Sequence, residues 1–527
     1  MMNPARFSRP LPGLVAEAAR MNSFIDPEKI DGTVLAPIVS AASERTQKLP
    51  AVCALEEAKG REERAALFLR AGLAESRTGC FETQLRSGGS RMILEVKAAS
   101  PSKGLMREEV DLTDYARVYG RYADAVSVLT EPQFFGGSFE RLAALRLLTE
   151  KPLLAKDFIV SREQILAAFR SGADAVLLML SVLSDEGYRL LADYARALGL
   201  EILTEASTPE EARHAVELGA RVIGINNRNL RTLEVDLARA PAIANELSGH
   251  PVIVAESGYR NAADILEARA KSPAIRAFLC GSALSVARDL STGVRELLYG
   301  HSKCCGITRA GDAMNALKAG AVAIGIILAP RSKRRVTLED ARGLIEEIRR
   351  GAGAIGLSAE IAAVIDAAQL DEVPAIASAL KPDVLQIHGD LSDETLKRLH
   401  TDFPALRLAP AMTPEGLSAD ALEELARRIQ KLIEDKTIDR AVLDSARLGR
   451  TGGTGRAFDF SLLRFFRTIP RIVIAGGLSQ ANAAAAAHAF GENFFGLDFN
   501  SGVEDAPGIK SPEKLREAFG AIRGISR

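Results

Sequence analysis

Cysteine is scarce in this chain and tryptophan is missing altogether. The five cysteines, Cys53, Cys80, Cys280, Cys304 and Cys305, are odd in number and scattered, with no paired spacing suited to a disulfide framework or a zinc site. That excludes a disulfide-stapled secreted fold, leaves no metal to expect, and points to a reducing, cytoplasmic setting. Net charge is lacking as well. Lys and Arg number 67 against 68 Asp and Glu, so there is no overall field to attract nucleic acid or an anionic membrane, and any anion must be held by local groups. Long apolar runs are also absent: the longest, such as "ADAVLLML" and "AVAIGIILAP", fall well short of the roughly 18 residues of a membrane span. The first thirty residues carry Arg6, Arg9 and Arg20 beside Glu17, Asp26 and Glu28, with no apolar signal core, so no targeting peptide is expected.

What is present is length and regular alternation. At 527 residues with 47% hydrophobic residues, the chain exceeds what one core usually supports, and two or more domains follow. β-rich runs recur between helical patterns: "RMILEVK", "DAVSVLT", "PLLAKDF", "DAVLLML", "LEILTEA", "ARVIGIN", "PVIVAES" and "RAFLCGS". Between them, stretches such as "SREQILAAFRSGA" and "TPEEARHAVELGA" repeat apolar residues at i, i+3, i+4 and end at glycine. After Gly300 the series restarts with "HSKCCGI", "AVAIGII", "AGAIGL", "DVLQIHG", "LRLAPAM", "RAVLDSA", "RIVIAGG" and "FFGLDFN". Two successive sets of eight βα units predict an α/β protein of two tandem (β/α)8 TIM barrels. A pair of doubly wound open sheets is the competing architecture, but neither half carries a strand-linked GxGxxG. The expected division is an N-terminal extension over residues 1–32, a first barrel over 33–299 and a second over 300–527. "TVLAPIVSAASERTQKL", with Thr33 as its cap, predicts an extra helix covering one end of the first barrel.

One stretch breaks the pattern of a buried strand. In "ILEVKAASPSKG", Glu95 and Lys97 stand at i, i+2, so both charges face the same side of the pleat. Chemistry in such barrels gathers where the strands end, on the C-terminal face. There the first half also offers Lys156, Glu205, Asn226 and Glu256 at equivalent strand ends. Any one of these is as readily a solvated residue. Six converging polar groups imply an active-site floor, because interior charges are costly unless they pair with each other or with a ligand. "ESGY" and "CGSA" after strands seven and eight bring Ser257, Gly258, Gly281 and Ser282 to the place where this fold commonly binds phosphate, although each alone is an ordinary turn. The second half repeats the device with Gly476 and Gly477 in "AGGLS", and with Asp498, Ser501 and Gly502 in "DFNSGVE".

The second mouth offers a thiol and a carboxyl group on opposite walls. Cys305 ends its first strand and Asp444 its sixth, with Arg334 in "RSKRR" and His388 after the fourth strand. Such a pair can serve as base and acid in a proton shift without metal. A buried inert thiol is the plain alternative for Cys305, and adjacent Cys304, facing the other way, is expected to be inert. "GRTGGTG" reads as a lid or a flexible loop.

Residues from about 33 to 297 resemble indole-3-glycerol phosphate synthase, through "EVKAASPSKG", "SVLTEPQFFGGSFE", "LLAKDFIV", "LLML", "LTEAS", "GINNRNL", "AESG" and "GSAL". Residues from about 302 to 523 resemble phosphoribosylanthranilate isomerase, through "KCCGIT", "PRSKR", "QIHG", "LDS", "GGTGRAFDFSLL", "IAGGL" and "DFNSGVEDAPGIK". Their order and fusion resemble the bifunctional enzymes of tryptophan biosynthesis. The resemblance implies that the second barrel acts first, with Cys305 as general base and Asp444 as general acid of an Amadori rearrangement. It implies that the first barrel closes the indole ring with loss of carbon dioxide and water, Lys156 protonating the carbonyl oxygen. Glu205 and Lys97 match groups of the dehydration, and Glu95, Asn226 and Glu256 match residues lining that site. Lys97, Ser100, Lys103, Arg228, Gly258, Gly281 and Ser282 match carboxylate or phosphate contacts. No cofactor is implied, and the expected partners are small phosphorylated anthranilate-ribose substrates, with no nucleic acid, no membrane and a monomeric chain.

Three departures stand out. "AIGLSAE" replaces the family's "GVF" third strand in the second barrel, "FDF" stands for "FDW", and residues 1–32 match no family motif. Economy in an enzyme that makes tryptophan and plain chance are both open readings of the missing tryptophan. Two other functions compete with the resemblance. Phosphosugar isomerases of histidine synthesis also use paired phosphate loops, but with two aspartates where this chain has other groups, and a scaffold with one dead barrel would not need both acid/base sets.

Overall fold

The computed structural model describes residues 24–74, 77–100, 104–105, 110–249, 251–445 and 458–525. These form two compact units, each built around a closed barrel of eight parallel strands. In the first, β1 (Arg91–Val96), β2 (Ala125–Leu129), β3 (Leu153–Lys156), β4 (Ala175–Met179), β5 (Glu201–Ala206), β6 (Val222–Asn226), β7 (Val252–Glu256) and β8 (Ile275–Cys280) each pair with the next, and β8 closes on β1. In the second, β9 (Lys303–Cys305), β10 (Ala323–Ile327), β11 (Glu360–Asp366), β12 (Val384–His388), β13 (Arg407–Met412), β14 (Ala441–Leu443), β15 (Ile472–Ile474) and β16 (Gly496–Phe499) do the same. Among the described residues no helix is long and apolar enough to cross a membrane.

Local chemistry explains the alternation. Several crossover helices begin on a side chain that satisfies an otherwise orphaned N–H: Ser161 Oγ accepts from Gln164 at 3.3 Å, Ser184 Oγ from Gly187 at 3.1 Å and Ser418 Oγ from Ala421 at 3.3 Å. Thr208 caps the helix Pro209–Glu217 in the same way, with proline at the first turn where no N–H is needed. The helix Arg162–Arg170 stops just before Gly172, whose φ of +85° and whose contact with Arg146 leave no room for a side chain. The strands between are buried almost throughout, because one face meets these helices and the other fills the barrel. The second barrel's interior is packed with small residues, Ala362, Val384, Ala409, Val442 and Val473 among them.

The expected third strand of the second barrel is corrected by the structure. Residues 352–357 are not a strand: the helix Leu338–Ala354 runs into them, and Leu357 N–H closes onto Ala352 at 2.9 Å over Gly356, which has φ +65°. The strand is β11, "EIAAVID", paired with β10 and β12. The helix's apolar face, Ala341, Ile345, Ile348 and Ala352, keeps its period through the glycines. The β-branched residues Ile361, Val364 and Ile365, which favour a pleat, fall in β11, whereas residues 352–357 hold Ile355 alone.

The helix Leu35–Thr46 lies at the C-terminal mouth of the first barrel. Thr33 Oγ1 accepts the Leu35 N–H at 3.1 Å, Val34, Leu35 and Ile38 line the mouth, and Arg45 bonds Glu131 after β2 and Asp157 after β3. Of the expected extension, residues 24–32 are described, including a short helix Pro27–Ile30 capped by Asp26.

Candidate active sites

In the first barrel the strand ends open into a cavity of about 790 Å³. Glu95, Lys97, Lys156, Glu205, Asn226, Ser257, Gly258, Gly281 and Ser282, expected at strand ends and turns, all line it, and so does Arg228, which the resemblance alone implied. Its floor is a lattice of ion pairs. Lys97 Nζ lies 2.8 Å from Glu95 Oε1 and donates to Ser282 Oγ at 3.0 Å, linking the end of β1 to the turn after β8. Lys156 Nζ lies 3.0 Å from Glu256 Oε2 and 3.7 Å from Glu95 Oε2, and Asn226 Nδ2 donates to Glu205 Oε1 at 3.1 Å. Glu256 therefore reaches the site through Lys156 and is itself fully buried.

The glycines make these contacts possible. A Cβ on Gly281 would fall 2.2 Å from Glu95 Oε1, and one on Gly224 would fall 2.0 Å from Glu256 Oε1. The carboxylates thus occupy space that only bare backbone leaves.

Charges in this floor tune one another. Burial works against the Lys156 ammonium, but Glu256, Glu95 and Glu205 outweigh it and raise its pKa well above lysine's ordinary value. Burial also pushes Glu95 up, yet Lys97 and Lys156 prevail and hold it ionised below the usual carboxylate range. Glu205 is raised by burial in spite of Lys156. Glu256 is pushed up to about 7 by burial, with Lys156 opposing and Glu205 adding to the rise. The floor therefore holds a lysine with its pKa raised beside a carboxyl group whose pKa is pushed up to about 7.

Several groups in this mouth escaped sequence reasoning. Phe135 and Phe158 form one wall, their rings 6.0 Å apart, and Leu230, Leu233, Val235 and Leu237 form another. Arg45 and Asp157 were also missed: Nη2 bonds Asp157 Oδ1 at 2.7 Å, directly after Lys156, but the partners are 112 residues apart. Ser100 ends a two-residue strand of a short ribbon, and Lys103 lies outside the described residues.

In the second barrel a smaller cavity, about 70 Å³, is lined by Cys305, Arg334, His388, Asp444, Gly476, Gly477, Asp498 and Ser501. Gly502 is not at its surface: it packs on the Leu478 carbonyl, which a Cβ would meet at 2.1 Å. Gln386 Nε2 donates to His388 Nε2 at 2.9 Å, which assigns the ring proton to Nδ1, 3.9 Å from Asp444 Oδ2. Burial, then Lys303, pushes His388 down to about 4, so the ring is neutral at physiological pH. Arg334 is held in plane by Glu504, through Nε at 2.8 Å and Nη2 at 2.7 Å. Asp498 faces the cavity as the ion-pair partner of Lys303, at 2.6 Å, an arrangement that suits support of the site better than contact with phosphate.

Burial pushes the Cys305 thiol up, and Lys303 acts in the opposite direction. Cys304 is wholly buried, and burial pushes its thiol up to about 12. Asp366, Gln386 and Asn500 complete the lining of the second mouth without having been expected, and Lys303 stands buried behind it, paired with Asp498. Lys303 was legible, since it shares a strand face with Cys305 by the same i, i+2 rule that exposed Glu95 and Lys97. The glycine-rich stretch 449–455 lies outside the described residues.

Two closed parallel barrels, each with acid/base groups at its strand ends and glycine turns after its seventh and eighth strands, define a double-headed (β/α)8 enzyme. A family model described as indole-3-glycerol phosphate synthase matches residues 51–297, and one described as N-(5'phosphoribosyl)anthranilate (PRA) isomerase matches residues 302–521. The tryptophan biosynthesis protein TrpCF of Vibrio parahaemolyticus is 41% identical over 449 residues, covering 84% of this chain and 87% of that protein. TrpCF of Vibrio cholerae is 40% identical over 447 residues (84% and 88%), and that of Corynebacterium glutamicum 36% over 444 residues (83% and 87%). The chain belongs to this TrpCF family of bifunctional tryptophan-biosynthesis enzymes, with a decarboxylating synthase domain ahead of an isomerase domain.

Proposed function

We propose that the two mouths divide the chemistry as follows. In the second barrel, Asp444 protonates the ring oxygen of N-(5'-phosphoribosyl)anthranilate and opens the sugar, and Cys305 then removes a proton from the adjacent carbon. His388, neutral and with Nδ1 3.9 Å from Asp444 Oδ2, stands beside that carboxyl group. Arg334 is the cation that faces the substrate carboxylate, and the turns at Gly476, Gly477 and Ser501 hold the phosphate.

In the first barrel, Lys156 protonates the carbonyl oxygen of the carboxyphenylamino-deoxyribulose phosphate as the ring closes. An ammonium with a raised pKa is a weak acid, but the oxygen it serves becomes an alkoxide, basic enough to take the proton. Decarboxylation leaves its electrons in the cyclised intermediate, and loss of water then completes indole-3-glycerol phosphate. Lys97 and Glu205 act in that dehydration, with Glu95, Asn226 and Glu256 holding them in place. Lys97, Ser100, Lys103 and Arg228 contact the substrate's anionic groups, and Ser257, Gly258, Gly281 and Ser282 cradle the phosphate. The cytoplasm is the compartment this reading assigns, in keeping with five scattered cysteines that show no disulfide spacing.

The observation that carries the assignment is the placement of Lys156 among Glu95, Glu205 and Glu256. It is a charged group with perturbed ionisation inside a cavity, the usual signature of a functional site. Separate assays of the two half-reactions in Lys156→Met and Asp444→Asn proteins test it, each substitution silencing one reaction alone.

A further inference from the structure

Beneath Cys305 the barrel holds a charge that the acid/base pair does not explain. Lys303 and Cys305 point to the same side of β9, and both are buried, at 6% and 4% exposure. Lys303 stands in register with Asp498 on β16, and its Nζ lies 2.6 Å from Asp498 Oδ2. Cys305 stands in register with Gly325 on β10. That glycine is bare for a reason: a Cβ there would fall 2.7 Å from Cys305 Sγ and 3.1 Å from Lys303 Nζ. The sulfur and the ammonium thus approach the same empty point inside the barrel.

We infer that Lys303 is the positioning residue that makes Cys305 a base, its ammonium stabilising the thiolate from below while Asp498 tethers it. The inference rests on the reading of Cys305 as the proton acceptor. A purely structural ion pair is a poor account of Lys303, since a buried pair contributes little net stability over apolar residues of similar size. A thiol in this position has the opposite need. Burial alone keeps it protonated, and only a nearby cation lets the thiolate form where water is excluded. The other charged or titratable groups around it come from separate elements: Arg334 after β10, Asp366 on β11, His388 on β12, Asp444 after β14, Asp498 on β16 and Lys510 near the C-terminus. Among these Arg334 is already bonded to Glu504, and Lys510 to Glu504 and Asn500. Lys303 is the cation that shares the sulfur's own strand face.

The test uses the full-length protein with Lys303→Met, and with Lys303→Met combined with Asp498→Asn so that no lone carboxylate stays buried. Ultraviolet thiolate absorbance is titrated in each protein as the difference from its Cys305→Ser counterpart, which isolates this thiol from the other four. The midpoint is expected to move up by about 1–3 pH units in Lys303→Met relative to wild type, and to stand above that of Asp498→Asn alone in the double variant, because the Asp498 carboxylate itself opposes the thiolate. The acidic limb of the isomerase pH–rate profile should move with it in Lys303→Met. A folded double variant whose midpoint equals that of Asp498→Asn alone overturns the role of Lys303. Retained isomerase turnover in Cys305→Ser overturns the base assignment instead, so the two failures are distinguishable.

Discussion

Replacing Lys156 by Met removes the ammonium from the first mouth while keeping an unbranched side chain of similar length. In the wild-type floor this ammonium lies 3.0 Å from Glu256 and 3.7 Å from Glu95, and it also acts on Glu205. Glu95 retains Lys97 at 2.8 Å and stays ionised. Glu256, already pushed up to about 7 with Lys156 present, loses the one group drawing it down and becomes protonated at neutral pH. The mutant floor thus takes up a proton and avoids a bare buried carboxylate, so folding is preserved. Catalysis is not, because a general acid contributes typically 10²–10⁴-fold, or about 3–5 kcal/mol of barrier. Fluorescence of indole-3-glycerol phosphate reports the synthase, and turnover of N-(5'-phosphoribosyl)anthranilate by the same preparation reports the isomerase. The fused isomerase serves as an internal standard for enzyme concentration. Synthase activity within about threefold of wild type, or an equal fall in both activities, would refute the assignment of Lys156.

Asp444→Asn should lower isomerase kcat by a comparable ~10²–10⁴-fold and leave the synthase intact, since an amide cannot protonate the ring oxygen; unimpaired isomerisation in the folded variant sinks that role. Glu256 ties stability to pH. Its folded pKa, about 7, stands above the unfolded value of 4.5, so the folded state binds the extra proton and the first barrel loses stability as pH rises from 4.5 through 7. Glu256→Gln should remove up to about 3 kcal/mol of that dependence, seen as a flatter pH trend in denaturant midpoints or in hydrogen exchange of β7; an identical trend in both proteins counts against it. Finally, because the interiors of (β/α)8 barrels are packed with side chains, the intermediate is expected to pass between the two sites through solvent. A mixture of Lys156→Met and Asp444→Asn proteins should convert the first substrate fully to indole-3-glycerol phosphate, with the lag set by the separate kinetics. A wild-type lag far shorter than that of the mixture would mean the intermediate does not pass through solvent.

Much of the site was legible because a barrel strand has a simple rule. Side chains alternate, so Glu95 and Lys97 had to share a face, and a charged face inside a barrel has no use but chemistry or pairing. Repetition then did the rest, each strand end supplying a group to the same rim. The same reasoning failed at residues 352–357, where a run rich in alanine and glycine was taken for a strand, although the helical period of Leu338–Ala354 continued through it. Short apolar runs carry no distinction between a buried strand and a helix end, and only the pairing of β11 with its neighbours settles the matter.

By itself the sequence determined which residues are available and how many barrels they build, because strand period, helix period and caps are local properties of neighbouring residues. Tertiary structure alone decided the partners. That Arg45 grips Asp157 beside Lys156, that Glu256 meets Lys156 across 100 residues, and that Asp498 tethers Lys303 all depend on barrel closure, which brings distant strand ends within hydrogen-bond reach. Ionisation follows from the same closure: a carboxyl group pushed up to about 7 and an imidazole pushed down to about 4 take their values from burial and from charges that are remote along the chain.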